Sequence, residues 1–198
     1  MKFFVPNEKK ENLIYKKYIK NKIKDASFFS KLCYFLDKFL KISSIILGLA
    51  TVFYVVLLSH DPLDLIFVIL TFVFPFAFSF IPMTVYYTSV LKNYRFRQNQ
   101  NIGVSNDLIQ YSYDELMISV NYEYKISIDQ LDRVEYYQST GEIKFIGRIL
   151  YTLCDVSEDG EKVQVKEQKI VNDFMILDLF DGDIVNILKS LNVQVEEK

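Results

Sequence analysis

Nineteen consecutive uncharged residues, 42–60, are followed after a four-residue interruption by twenty-seven more, 65–91. A bilayer core of about 30 Å is crossed by about 20 helical residues. The first run therefore suffices to span one, and the second is long enough to span it with tilt. A soluble core helix rarely holds runs of this length without a charge. A secretory signal fits poorly, because the first run starts after residue 41 and the second follows at once. Residues 59–64 (SHDPLD) can reverse the chain but cannot cross the bilayer again. The pattern predicts an antiparallel transmembrane hairpin within residues 42–97.

Charge placement orients it. Residues 1–41 carry 11 Lys and no Arg against 4 acids, the short loop carries two Asp and no Lys or Arg, and Lys92, Arg95 and Arg97 follow the second run. Cytoplasmic flanks of membrane helices are enriched in Lys and Arg, so both termini are expected in the cytoplasm. Pro75 and Pro82 lie in the second run, where proline removes a helical hydrogen bond and kinks the axis. Neither run holds an ionisable residue away from its ends, which argues against an ion or proton pathway. Gly48 is the only glycine there, so no Gly-x-x-x-Gly seam exists.

Residues 1–41 read as a basic amphipathic arm. Ile14 and Tyr18 are four apart, as are Tyr15, Ile19 and Ile23, with Lys16, Lys17, Lys20, Lys22 and Lys24 between them. Phe28, Leu32, Phe35, Leu36 and Phe39 repeat at helical spacing behind Ser27, a candidate cap. Beside a span, this second stretch is expected to lie in the headgroup plane. The membrane-surface residues are then Lys16, Lys17, Lys20, Lys22, Lys24, Lys31, Lys38, Lys41, Lys92, Arg95 and Arg97, each worth about 1 kcal/mol near anionic lipid. Nucleic acid is a poor partner, since the arm lacks arginine and a base-stacking surface.

Residues 98–198 invert the charge, with 9 Lys and Arg against 19 Asp and Glu. A polar connector at 92–101 places the boundary near residue 100. Strand alternation dominates beyond it. Residues 118–128 alternate apolar and polar side chains without a break, which marks a sheet with one wet face, as one long strand or as two with a bend near Asn121. Further strands are expected at 108–112, with 113–115 as its turn, at 134–138 and around 149–153. Asp159-Gly160 then forms a hairpin turn, followed by a strand at 163–165 and a central strand at 174–180. Ile184, Val185, Ile187, Leu188 and Leu191 change to helical period, with Asp181 or Asp183 as cap. The fold class is a membrane helical hairpin plus an α+β unit, a small antiparallel barrel or sandwich closed by a carboxy-terminal helix.

Two stretches carry a resemblance. DELMISVNYEYKISIDQLDRVEYY (114–137) and FMILDLFDGDIVNILKSL (174–191), following two spans, resemble the bacterial membrane-anchored pleckstrin-homology-like proteins. The first is similar to that family's strand, strand, aspartate-containing turn and strand; the second to its last strand and capping helix. The resemblance implies a pleckstrin-homology-like fold and a binding or scaffolding module at the inner face of the bacterial membrane, not an enzyme. Some members are associated with self-immunity to membrane-active bacteriocins, the alternative role. The loop at 113–116 (YDEL) is acidic where phosphoinositide-binding relatives are basic, so a protein partner of the acidic domain is expected, and self-association stays open.

No reactive constellation stands out. Ser59, His60 and Asp61 are adjacent and cannot relay a proton as a triad assembled from distant positions does. One His with two distant cysteines, Cys33 and Cys154, makes no zinc site. Asp155, Ser157, Asp159 and Gly160 imitate the start of a calcium loop, but Lys166 stands where its bidentate Glu belongs. No glycine-rich phosphate loop is present, and no cofactor is implied.

Overall fold

The computed structural model describes residues 1–58, 62–91, 94, 96–115, 119–157 and 162–198. They form two compact units, Met1–Asn21 with Asn93–Lys198, and Lys22–Lys92. The fold is α+β, with a curled, half-barrel, mostly antiparallel sheet and five α-helices among the described residues.

The strand-rich unit is built from β1 (Lys2–Phe4), α1 (Glu8–Lys22), β2 (Arg97–Val104), β3 (Leu108–Glu115), β4 (Val120–Ser127), β5 (Leu131–Tyr137), β6 (Glu142–Val156), β7 (Lys162–Leu177), α5 (Ile184–Ser190) and β8 (Val195–Glu197). Strand order is β1-β2-β3-β4-β6-β5-β8, with β7 on the other edge of β6. β6 is long enough to hold β5 along its first half and β4 along its second. β8 returns parallel to β5. Inward positions of these strands fill one core, in which Phe145 stacks on Phe174 at 4.6 Å between centroids and Tyr111 meets Phe180 edge-on. α5 closes it with Ile184, Val185 and Leu188. Its cap is Asp183, whose carboxylate accepts from the Asn186 N–H at 3.0 Å.

Several boundaries differ from the sequence reading, each for a local reason. The first 21 residues do not stand apart as an arm. β1 pairs with β2, and Ile14, Tyr18 and Ile19 are buried, because the apolar stripe of α1 finds a protein surface. Asn7 starts α1 by accepting from the N–H groups of Lys9 and Lys10. Gly141, at φ 75°, lets Ile14 approach; a Cβ there would sit 2.8 Å from the Ile14 Cδ1.

The connector at 92–101 is in part strand, since β2 begins at Arg97. Its polar Gln and Asn residues are accommodated by an irregularity between Gln98 and Asn101, with Asn99 at φ 47°. The turn expected at 113–115 is still strand in β3. The two strands expected at 163–165 and 174–180 are one, β7, and it pairs only with β6 among the described residues, so it is an edge rather than a centre. Phe174, Ile176 and Leu177 are buried by the core beneath them, not by flanking strands.

The helical unit holds α2 (Phe28–Leu58), α3 (Pro62–Phe78) and α4 (Phe80–Val90). The stretch at 28–39 and the start of the first apolar run are one continuous helix of 31 residues, about 46 Å long. Residues 28–58 contain no proline to separate an interfacial helix from a span. Ser27 caps it, its Oγ accepting from the Ser30 N–H at 3.3 Å. The second run is interrupted at Ser79, between Pro75 and Pro82, where the Ser79 hydroxyl donates to the Phe76 carbonyl at 2.7 Å. α2 runs antiparallel to α3 and α4. Ser30 donates to Ser89 at 2.8 Å, Tyr86 to Asp37 at 3.1 Å, and Thr51 meets Thr71 at 3.2 Å.

Candidate functional site

The surface of the helical unit is its most distinctive property. Phe35, Phe39, Ile46, Phe53, Phe74 and Phe80 are all exposed, and Phe28 is 81% exposed. Soluble monomers rarely show contiguous apolar patches beyond a few hundred Å². The polar side chains of Ser30, Asp37, Ser44 and Ser79 are buried instead. Asp37 is 0% exposed and takes an ion pair from Lys41 at 2.8 Å besides the Tyr86 hydroxyl. Among the described residues one stretch, Val73–Val90, has the length and apolarity to cross a membrane, with 11% of it buried. The other expected span ends at residues 59–60, outside the described residues.

The basic residues divide between the units. Lys16, Lys17 and Lys20 belong with the strand-rich unit, and Lys22, Lys24, Lys31, Lys38 and Lys41 with the helical one. Lys16, Lys20, Lys24, Lys31 and Lys38 are exposed, whereas Lys17, Lys22 and Lys41 are half-buried. Lys31, Lys38 and Lys41 recur at seven and three residues along α2, one face of a helix. Lys38 lies over the Tyr34 ring at 5.4 Å. Lys92, Arg95, His60, Asp61 and the Asp159-Gly160 turn lie outside the described residues.

Arg97 does not stand with the surface cations. It opens β2, and its guanidinium carbon sits 4.7 Å from the Tyr94 ring centre, 4.6 Å from Tyr113 and 6.0 Å from Tyr111. Nη1 donates to the Tyr111 hydroxyl and to the Met175 carbonyl, both at 3.2 Å, while Nε is buried without an acceptor among the described residues. A cation over aromatic faces gains about 2 kcal/mol when desolvated, less than the several kcal/mol a buried charge costs.

The rings around it stay neutral phenols. Burial pushes Tyr111 up to about 12 against the opposing pull of Arg97. Burial also pushes Tyr18 up to about 12, with Glu142 adding and Arg97 opposing. Tyr94 and Tyr113 are raised further, first by burial. Phenols that hold their protons cannot neutralise the guanidinium.

Sequence reading missed this constellation because Arg97 follows an apolar run and looks like a topology signal. Only the tyrosine spacing in β3, Tyr111 and Tyr113, hinted at an aromatic wall. Cys33 and Cys154 are free and buried. Asp155 is paired with Lys166 at 2.6 Å across β6 and β7. Among the described residues no three His, Cys, Asp or Glu are grouped to hold a metal ion. Compared with known proteins, the chain matches no family model, no curated protein and no solved structure.

Proposed function

We propose that this chain is a membrane-anchored, non-enzymatic binding module at the cytoplasmic face of a bacterial membrane. α2 forms a transmembrane hairpin with α3 and α4, and the acidic strand-rich unit is a pleckstrin-homology-like domain that recruits a protein partner. The observation that carries the reading is the outward display of phenylalanine and isoleucine by all three helices, with Ser30, Asp37, Ser44 and Ser79 buried. Lipid is the surroundings that makes this arrangement favourable, because apolar side chains then lose nothing by facing out. The antiparallel contacts of α2 support the hairpin, and the lysine bias supports cytoplasmic termini. A curled sheet ending in an amphipathic helix supports the pleckstrin-like assignment. The edge of β7, sixteen residues long and paired on one side among the described residues, suits a partner that adds an extended strand.

Membrane preparations of a bacterium expressing the full chain test this. The chain is expected to stay with the membrane through alkaline carbonate and high-salt washes and to leave it only with detergent. A reporter fused after Lys198 is expected to be active in the cytoplasm. Release by salt alone, or a full chain that stays soluble and monomeric without detergent, overturns the proposal.

A further inference from the structure

Within the strand-rich unit, a cavity of about 520 Å³ opens beside the half-buried Arg97, lined among others by Arg97, Lys169, Tyr18, Tyr124, Tyr151 and Phe174. That volume falls in the range of small-molecule sites, about 300–1,000 Å³. Its carboxylates already have partners. Asp173 pairs with Lys144 at 2.6 Å, and Glu142 accepts from Thr140 at 2.9 Å and Tyr94 at 3.4 Å. Lys169 sits 5.1 Å over the Tyr151 ring and pairs with Glu167, which lies on the exposed part of β7. Arg97 is different, for among the described residues it makes no ion pair and its Nε is enclosed with no acceptor.

A larger cavity, about 720 Å³ beside α1 and α5, lacks this imbalance, because its buried Asp178 already holds Lys10 at 2.7 Å. A guanidinium that lines a cavity with no carboxylate partner among the described residues is complementary to an oxyanion. The aromatic wall offers faces on which a flat or short apolar body can lie.

We propose that this cavity binds a small oxyanion with an aromatic or short apolar body, its charge against Arg97 and Lys169 and its body against Tyr124, Tyr151 and Phe174. The shared chemistry is a carboxylate or a phosphate monoester on one such body. This inference stands apart from membrane anchoring and survives if the anchoring proposal fails.

Ligand-observed NMR on the full chain in detergent micelles tests it. The probes are benzoate, phenyl phosphate and, as the cationic control, benzyltrimethylammonium. At least one of the two anions is expected to saturate below about 10 mM, and their relative affinity tells the carboxylate from the phosphate. The cation is expected not to compete. Arg97→Lys keeps the charge but loses the fork, and is expected to weaken the anion about tenfold. Lys169→Ala, on the cavity rim, is expected to cost about threefold. Glu142→Gln removes a negative charge from the cavity and is expected to tighten anion binding.

Should Arg97→Lys not fold, Lys169→Ala and Glu142→Gln decide alone. The proposal is overturned if neither anion saturates or if the cation binds in preference. Anion binding that is unchanged in Lys169→Ala and Glu142→Gln overturns it as well.

Discussion

In the strand-rich unit Ile102, Phe145 and Leu188 are sealed from solvent, whereas in the helical unit Phe35, Ile46 and Phe53 face outward and Asp37 is sealed inside. Both units contain the same apolar residue types, sorted in opposite directions. Water drives the first arrangement, since each buried side chain gains roughly 1.5–3 kcal/mol by leaving it. In the proposed membrane setting the second gains nothing from water and is held by packing and by polar pairs such as Ser30–Ser89 and Tyr86–Asp37. One chain thus shows two opposite sortings of the same residue types, and on the proposed reading each suits a different solvent.

Substitutions that move side chains against this sorting are expected to expose it. The largest effect is Phe145→Ala, which empties the centre of the sheet. It should destabilise the strand-rich unit by about 3–5 kcal/mol, read by the tyrosine circular dichroism signal during denaturant unfolding in micelles. The matching change Phe53→Ala is expected to leave that signal within about 0.5 kcal/mol of the parent; a comparable loss at both positions would break the contrast. Tyr86→Phe removes the donor to buried Asp37 and should cost the helical unit about 1–3 kcal/mol, visible as a lower helical melting temperature.

Smaller still is Gly141→Ala. It imposes a side chain at positive φ and crowds Ile14, for about 1–2 kcal/mol. Adding Ile14→Ala should recover part of that loss, and a fully additive double variant would show that α1 does not press on this turn.

The mildest probe is pH. Hydrogen bonds from Lys198 and Tyr137 hold the Glu135 carboxyl down at about 2 from an ordinary 4.5. A carboxylate lowered on folding stabilises the folded state above its unfolded value and loses that contribution as pH falls through the folded one. Unfolding midpoints should therefore decline between pH 4.5 and about 2, and Glu135→Gln should flatten that part of the profile. An unchanged slope would mean the carboxy-terminal strand β8 is held by its backbone pairing with β5 alone.

Strand and helix content was largely legible from local pattern. The alternation through residues 120–127 is β4, and the helical period after Asp183 is α5, because both depend on neighbours a few residues away. Edges were less so. β2 carries Gln-Asn-Gln-Asn, whose strand propensity is poor; β3 pairs with Gln98 and Asn101 of that segment, and β1 pairs only with Ile102–Val104 beyond it. The break at Ser79 could be read from Pro75 and Pro82, but the union of residues 28–58 into one helix could not, since an amphipathic and an apolar stretch show different patterns along the same backbone. The arginine–tyrosine cavity was the least legible. Tyr18, Arg97, Tyr124 and Tyr151 come from four separate elements, and no spacing links them.

By itself the sequence determined where charge is absent, where side chains alternate and where a helix must start, because these follow from the backbone's own periods and caps. Tertiary structure alone decided that α1 packs into the strand-rich unit, that Asp37 is enclosed, and that Arg97 leaves the surface for a ring of tyrosines. Each of those outcomes depends on side chains far apart in sequence competing for one desolvated space. That competition is settled only when the sheet has curled and the helices have met.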